Sequence, residues 1–358
     1  MTTLFDSVSF AHGTSMKNRF MLAPLTNQQS HVDGRMSDDE FRWLTMRAEG
    51  GFGLTMTCAS HVDPRGQGFP GQLGCFGDQH LEGLSRLAHG LKEHGTLAIV
   101  QLHHAGRRSP VDLIGQSPVA PSIDEGTGAV ALTTQEVHDL VESFIAAAER
   151  AERAGFDGVE IHGAHDYIVC EFLNSELNVR TDQYGGSVEN RARIIFEIAS
   201  GIRERCRPNF HLALRLSPEM FGMKTREVME IYSMAVDCGH FDLIDMSLWS
   251  VFKEASDPEF AGQRLIDIFA SLPRGDVRLA VAGHLYNADD MRACLDAGAD
   301  IVALGRAAIT NHDVPLLVAE NPSFTMRELP VSRATLAKEG LGETFITYMS
   351  GWKGFVQD

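Results

Sequence analysis

Two histidines and a tyrosine follow a short apolar run near the middle of the chain. The segment reads HGAHDY from His162 to Tyr167, and side chains three positions apart share one face of a turn. His162 and His165 could ligate a metal, although no third ligand of matching type stands out. They could also be structural histidines, or a two-donor clamp on a substrate oxygen with Tyr167 as a nearby proton donor. Spacing alone favours the structural interpretation.

An arginine inside an apolar run is a second candidate. In a strand over His211–Leu216, the leucines share one face, and Ala213 and Arg215 share the other. A buried guanidinium without a partner would be costly, so Arg215 requires an anionic or strongly accepting group. That group is either a ligand or an internal carboxylate such as Glu160. Strand parity favours neither alternative over the other.

Two later apolar runs end in a glycine followed by a polar residue. The sequences are AGH at Gly283 and LGR at Gly305 and Arg306. Glycine lets a phosphate approach backbone N–H groups, and Arg306 adds positive charge to an acidic chain. Each pattern alone is common in ordinary turns, whereas the two together indicate a phosphate site.

These candidates lie on an alternation of short apolar runs with amphipathic stretches of helical length. The eight candidate strands are Phe20–Thr26, Phe52–Ala59, Leu97–Leu102, Gly158–His162, His211–Leu216, Phe241–Met246, Val277–Ala282 and Ile301–Leu304. The eight candidate helices are Asp38–Glu49, Asp78–His94, Thr134–Ala154, Ser187–Arg205, Thr225–Asp237, Pro258–Ser271, Ala288–Ala297 and Arg306–Val318. This order predicts an α/β protein with a parallel sheet closed into a (β/α)8 TIM barrel. An open doubly wound sheet is the alternative, but strand one lacks the usual Gly-rich turn after it.

Barrel active sites lie at the carboxyl ends of the strands. This rule places Arg215 in the barrel mouth and the two glycine segments after strands seven and eight, where barrels often bind phosphate. Gln101 ends strand three in phase with its inward positions, and Thr26 ends strand one in phase with Pro24. Taken singly, the glutamine is typical of a structural hydrogen bond and the threonine of a cap.

Composition and charge limit the class of partner. The 358 residues include 48 acidic and 31 basic side chains, and the net charge of −17 argues against a nucleic acid or an anionic membrane. No run of 18 apolar residues and no signal-peptide pattern is present. The six cysteines form no CxxC pair, so we expect reduced thiols in a cytoplasmic protein without a metal site. We expect one domain, residues 1–335, and a C-terminal tail, residues 336–358, as a candidate cover for the active site or a subunit interface.

Several segments resemble the Old Yellow Enzyme family of FMN-dependent ene-reductases. They are NRF and APLT at strand one, QLHHAGR at strand three, GFDGVEIHGAHDY, NVRTDQYGGSVENRAR, LALRLSP, VAG and ADIVALGRAAI. The resemblance runs from about Leu4 to Val318, and Gly155–Arg193 is its most specific part. It implies a barrel that binds FMN, takes hydride from NAD(P)H and reduces the activated C=C bond of small α,β-unsaturated carbonyl or nitro compounds.

The resemblance also implies a role for each candidate residue. The flavin ring would be contacted by Pro24, Thr26, Ala59, Gln101 and Arg215, and the phosphate by Gly283, Gly305 and Arg306. Within the ring site, Arg215 would lie beside N1 and the C2 oxygen, where reduced flavin carries negative charge. His162 and His165 would clamp the substrate oxygen, and Tyr167 would donate a proton.

Some positions depart from the family pattern. Thr26 stands where one branch has a redox-tuning cysteine, and Asp166 stands where glycine is usual. That aspartate would either raise the pKa of a neighbouring histidine or face solvent. Gln28 replaces an aromatic pocket residue of some members, so Trp249 becomes a candidate substrate contact, with a loop anchor as its alternative.

Two other functions are compatible with the sequence. The same FMN fold could carry out dienoyl reduction or oxidative demethylation, although the chain lacks the four-cysteine cluster of the multidomain enzymes. A barrel without flavin, either a metal hydrolase or a binding scaffold, is an alternative of another class. A homo-oligomer is an expectation that rests on the family resemblance alone.

Overall fold

The apolar runs form eight parallel strands that close into a barrel in chain order. The computed structural model describes residues 2–357. The strands are β1 (Phe20–Leu22), β2 (Leu54–His61), β3 (Leu97–His103), β4 (Gly158–Gly163), β5 (His211–Leu216), β6 (Leu243–Ser247), β7 (Arg278–Ala282) and β8 (Ile301–Leu304). Each strand pairs with the next, and β8 pairs with β1. The predicted (β/α)8 barrel is confirmed, and the open doubly wound sheet is wrong.

A principal helix follows each strand. The eight are α1 (Asp38–Glu49), α2 (Leu81–Lys92), α3 (Thr134–Arg153), α4 (Val188–Arg205), α5 (Thr225–Asp237), α6 (Leu265–Ala270), α7 (Ala288–Asp296) and α8 (Arg306–Thr310). A capping box between Thr133 and Glu136 begins α3, as the sequence indicates. Further short helices are Val111–Ile114, Ile168–Leu173, Val314–Glu320, Arg333–Lys338 and Glu343–Ser350.

Strand parity separates two cores. Ala213 belongs to the cluster inside the barrel, whereas Leu212 and Leu214 belong to the core between strands and helices. An N-terminal hairpin, Val8–Ser9 with Ser15–Met16, adds Val8, Phe10 and Met16 to the inner cluster. The hairpin thus fills the end of the barrel at which the strands begin, and the opposite end is left for polar residues.

Several predicted boundaries differ from the structure. β1 ends at Leu22, so Pro24 and Thr26 lie in the following loop, and their side chains cannot be placed by strand parity. The predicted sixth helix is a 3-10 turn at Pro258–Phe260 followed by α6, and the predicted eighth helix breaks between α8 and Val314–Glu320. Gly262, with φ +78°, interrupts the first stretch after Pro258–Phe260, and Pro315, which lacks a backbone N–H, interrupts the second.

The C-terminal segment folds back onto the first helix of the barrel. Trp43 of α1 contacts Phe345 edge to face at 4.9 Å between ring centroids. The buried guanidinium of Arg47 stacks on Trp43 and donates hydrogen bonds to the backbone carbonyls of Ala308 and Glu339. Within residues 2–357, no helix combines the length and the apolar character that crossing a bilayer requires.

Candidate active site at the barrel mouth

A cavity of about 290 Å³ opens at the carboxyl ends of the strands. The candidate residues among its walls are Pro24, His165, Arg215, Trp249, Gly283, Gly305 and Arg306. They come from β1, β4, β5, β6, β7 and β8 or the loops that follow them, so the closed barrel brings together segments that are far apart in sequence. Other predicted site residues lie behind these walls.

The remaining candidates lie on β2, β3 and β4 or just after them, apart from Thr26, which follows β1. Ala59 pairs in register with Gln101 across a β-bulge in β2. This bulge changes which β2 side chains face the barrel. The Gln101 side chain donates to Glu160 at 2.8 Å. Thr26 is half-buried in the loop after β1 and does not line the cavity, and neither do Ala59 and Gln101.

A buried charge cluster lies beneath the cavity. The Arg215 guanidinium Nε is 3.1 Å from a carboxylate oxygen of Asp245, its register partner on β6. Burial and, to a smaller extent, the nearby Asp245 raise the pKa of Glu160 to about 8, although Arg215 opposes the shift. Burial also raises the pKa of Asp245, and Arg215 again opposes it. The internal partner of Arg215 is therefore Asp245, not Glu160 as the sequence suggested.

The sequence contains a pattern from which the inner position of Asp245 can be predicted. It interrupts the apolar run FDLIDMS, two positions after Leu243, whose side chain lies in the inner core. Parity alone therefore places Asp245 inside the barrel, but its pairing with Arg215 depends on the alignment of two strands.

The two histidines form a hydrogen-bonded chain at the cavity wall. His162 Nε2 lies 3.0 Å from His165 Nδ1, and His165 Nε2 lies 2.8 Å from the Ser247 hydroxyl. Burial lowers the pKa of His165 to about 3, with Arg215 adding to the effect, and burial lowers that of His162 well below its usual value. Both imidazoles are therefore neutral at pH 7, and each has one N–H to donate.

Tyr167 belongs to the same group of rings. Its ring centroid is 5.1 Å from that of His162 and 4.3 Å from that of His103, a residue that the sequence analysis did not single out. Burial raises the pKa of Tyr167, so its hydroxyl keeps its proton at neutral pH. The group thus offers neutral hydrogen-bond donors and a protonated phenol.

The structure shows how aspartate is accommodated at position 166, where the family usually has glycine. Its backbone φ is +62°, a left-handed conformation that glycine adopts easily and that aspartate tolerates better than most residues. Both of its carboxylate oxygens accept from Arg107 at 2.8 Å, and Arg107 also binds Asp124. The carboxylate is therefore part of an ion-pair network, and neither sequence alternative for Asp166 describes it.

The predicted phosphate segments meet at one end of the cavity. Gly283 has φ +147°, and a Cβ there would lie 2.7 Å from the Trp249 carbonyl carbon. Arg306 donates to the Tyr286 hydroxyl at 2.6 Å, and its guanidinium lies 5.5 Å from the Trp352 ring. Tyr286 and Trp352 also line the cavity; sequence reasoning did not identify Tyr286, and Trp352 belongs to the tail, residues 336–358, that was a candidate cover.

The histidine pair does not belong to a metal-binding group within residues 2–357. The one set of three ligating side chains found there is His312, Asp313 and Glu339, on the outside of the barrel. Arg327 donates to Glu339 at 2.6 Å, and His312 Nδ1 lies 2.7 Å from the other oxygen of that carboxylate. This set is therefore already an internal ion-pair cluster.

The fold is a closed barrel with a cavity at its mouth, and comparison with known proteins identifies the family. The sequence profile of the NADH:flavin oxidoreductase / NADH oxidase family matches residues 3–322, so the chain belongs to this family. It is 33% identical over 327 residues to a probable NADH-dependent flavin oxidoreductase of Bacillus subtilis, covering 88% of each chain. An NADPH dehydrogenase of Bacillus pumilus is 33% identical over 317 residues, covering 86% of this chain and 92% of that one.

A solved structure agrees with the sequence relatives. The old yellow enzyme homologue from Zymomonas mobilis has a TM-score of 0.81 and 27% identity, with 96% of this chain and 99% of that chain covered. The protein is an NAD(P)H-dependent flavin oxidoreductase of the Old Yellow Enzyme type, and FMN is its cofactor. The alternative of a barrel without flavin is wrong.

Proposed function

We propose that the protein reduces the activated C=C bond of α,β-unsaturated carbonyl or nitro compounds. The observation that carries the proposal is the grouping of His162, His165 and Tyr167 beside the cavity that holds Arg215. Two neutral imidazoles can donate to a substrate oxygen, and a protonated phenol can donate to carbon. These are the two polar functions that the addition of hydride and a proton to such an alkene requires.

FMN is assigned to the cavity because the residues there suit its parts. Pro24 and Arg215 line the cavity and would contact the flavin ring, and Thr26, Ala59 and Gln101 are assigned to the same ring on the family resemblance. Gly283, Gly305 and Arg306 would hold the phosphate. The Trp249 carbonyl excludes a side chain at Gly283, so the glycine lets this loop lie at the cavity wall together with Gly305 and Arg306.

The chemistry of the side chains follows from their protonation. Bound FMN supplies a hydride that originates from NAD(P)H. His162 and His165 each donate a hydrogen bond to the carbonyl or nitro oxygen, which draws electron density from the β-carbon. Forming these bonds breaks the mutual hydrogen bond of 3.0 Å, in which one of the two facing nitrogens is the acceptor, so one ring also changes tautomer. Tyr167 gives its proton to the α-carbon, so one hydride and one proton saturate the double bond.

Trp249 is proposed as a wall of the substrate pocket. It lines the cavity, is 54% exposed and has a left-handed backbone with φ +63°. Unfavourable backbone conformations of this kind tend to occur at functional sites. Residues 336–358 are proposed as a partial cover, because Trp352 lies at the Arg306 end of the cavity. Association into a homo-oligomer stays a prediction.

A cytoplasmic site of action is part of the proposal. All six cysteines are free, and five of them are buried. Burial raises the pKa of the thiols of Cys75, Cys170 and Cys294 to about 12, which keeps them protonated and unreactive. Free thiols are typical of a reducing compartment.

An anaerobic absorption experiment tests the function. The FMN-loaded protein is reduced with NADPH, and cyclohex-2-enone is then added while the flavin bands are recorded. We expect the bands to bleach with NADPH and to return with the enone. Bands that stay bleached with enones and nitroalkenes would reject alkene reduction and favour dienoyl reduction or demethylation at the same flavin.

A further inference from the structure

A third buried histidine lies beside the proposed catalytic group. His103 is the last residue of β3 and follows Gln101 by two positions, so both side chains face the barrel side of the strand. Its ring meets Tyr167 edge to face at 4.3 Å, and its centroid is 5.4 Å from that of His162. Nothing in the proposed chemistry uses this residue.

A neighbouring glutamine fixes the position of the His103 proton. The Gln72 Oε1 atom accepts from the Gly68 N–H at 2.6 Å, and the Gln72 Nε2 atom donates to the Ala59 carbonyl at 2.7 Å. The amide therefore cannot be flipped without losing both bonds. The same Nε2 lies 3.0 Å from His103 Nδ1, which must act as the acceptor.

His103 consequently presents an N–H donor that has no acceptor. Burial lowers the pKa of His103 well below its usual value, so the ring is neutral and its single proton is on Nε2. Within residues 2–357, His103 Nε2 is buried and has no hydrogen-bond partner, and the same holds for His162 Nδ1. A buried donor without an acceptor is destabilising, and a molecule bound beside Tyr167 would remove this cost by supplying the acceptor.

We propose that His103 binds a second carbonyl oxygen of the substrate, so that the preferred alkenes carry a carbonyl at each end of the double bond. The inference rests on the proposed function, since it assigns His162 and His165 to the first carbonyl. His103 contacts Tyr167, the residue assigned to the protonated carbon, and its acceptor therefore belongs to the substituent on that side. His103 keeps its proton and takes part in binding alone.

Two other partners could satisfy the His103 donor. The edge-to-face contact would suit a weak N–H bond to the Tyr167 ring, and a buried water could also accept. Either partner would make His103 structural, and the number of carbonyls on the ligand would then not matter. Comparing ligands with one and with two carbonyls therefore distinguishes these two possibilities from the proposal.

Ligand binding to the oxidised, FMN-loaded protein provides a test that needs no turnover. Cyclohexanone and cyclohexane-1,4-dione are saturated and inert, and each is titrated while the visible spectrum of the flavin is recorded. A single buried hydrogen bond predicts a preference of roughly tenfold for the dione, above the about twofold preference expected for two equivalent carbonyls. His103→Met should reduce the preference to about twofold, and His103→Gln, which keeps an N–H donor, should restore most of it.

A matched variant and a second substrate pair complete the experiment. His80 is also buried and has a ring nitrogen without a partner, but it lies at the start of α2 outside the barrel, so His80→Met should keep the full preference. An equal preference in His103→Met and wild type, or none in wild type, would overturn the proposal. If wild type prefers the dione but reduces neither cyclohex-2-enone nor cyclohex-2-ene-1,4-dione, the proposed function fails while His103 stays a ligand-binding residue.

Discussion

Replacing Glu160 by glutamine tests the charge cluster beneath the cavity. Glu160 is fully buried, and it accepts a hydrogen bond from Gln101 at 2.8 Å through an oxygen that a glutamine would also provide. Burial and the nearby Asp245 hold the pKa of Glu160 at about 8. The folded protein therefore carries a proton on Glu160 at neutral pH, and the unfolded chain does not.

This difference in protonation sets the sign and the size of the pH dependence of the free energy of unfolding. Because the folded pKa is raised above the ordinary value of 4.5, the stability that Glu160 contributes is fully present below pH 4.5 and is lost as the pH rises through 8. One proton of difference changes the free energy of unfolding by about 1.4 kcal/mol per pH unit. Between about pH 6 and pH 7.5, this residue alone should lower it by about 2 kcal/mol.

Urea unfolding of the FMN-free protein measures the effect. FMN is removed because a ligand that binds the folded state shifts its apparent stability. Wild type and Glu160→Gln are compared at both pH values, and titrations common to the two proteins cancel in the difference between their slopes. The variant should lose about 2 kcal/mol less than wild type over this interval. Parallel profiles would show that Glu160 is already ionised and would refute the charge assignment.

Three further predictions concern separate parts of the molecule. Tyr167→Phe should slow reoxidation by enones by about 10²- to 10⁴-fold in stopped-flow measurements while NADPH reduces the flavin normally, and equal losses in both halves would reject Tyr167 as the acid. Gly283→Ala places a Cβ against the Trp249 carbonyl, so FMN affinity should fall by at least roughly tenfold in fluorescence titrations, and unchanged affinity would remove the glycine from the site. A thiol reagent should label one cysteine of the native protein, the partly exposed Cys238, and rapid labelling of all six would contradict the buried environments.

The local pattern of apolar runs and amphipathic stretches was sufficient to predict the barrel. Strands buried on both faces appear in the sequence as short continuous apolar runs, and eight such runs alternating with helices leave few ways to fold. Parity along His211–Leu216 placed Arg215 on the inner face, and the inner position of Ala213 confirms it. The end of β1 was wrong because Pro24 and Leu25 continue the apolar run after the strand pairing with β8 has stopped at Leu22.

Contacts across the barrel mouth could not be predicted in the same way. The Ser247 bond to His165 and the Trp352 contact with Arg306 each join residues that are far apart in sequence. Such contacts depend on strand alignment and on the course of the C-terminal segment. His103 is different, because its parity with Gln101 was visible. What the sequence could not supply was the Gln72 amide that sets its tautomer.

Arg215 has a protein partner and unused hydrogen-bonding capacity at the same time. Asp245 lies 3.1 Å away and balances its charge, yet within residues 2–357 neither the Arg215 Nε nor either Asp245 oxygen makes a directed hydrogen bond. The two sequence alternatives, an internal ion pair and an anionic ligand, are therefore compatible. With Glu160 protonated, the cluster carries one positive and one negative charge. A further negative charge close to Arg215 would compete with Asp245 for the guanidinium.

Asp245→Asn separates these two roles of Arg215. Without Asp245, the buried guanidinium of the FMN-free protein loses the carboxylate that balances its charge, and the free energy of unfolding should fall by about 3 kcal/mol. In the FMN-loaded protein, the negative charge that reduced flavin gains would become the main partner of Arg215. The reduction potential of bound FMN should therefore rise above that of wild type in dye-coupled photoreduction. A potential that stays unchanged or falls would mean that Arg215 does not face the flavin ring, because a guanidinium freed from Asp245 can stabilise reduced flavin only where it lies close to it.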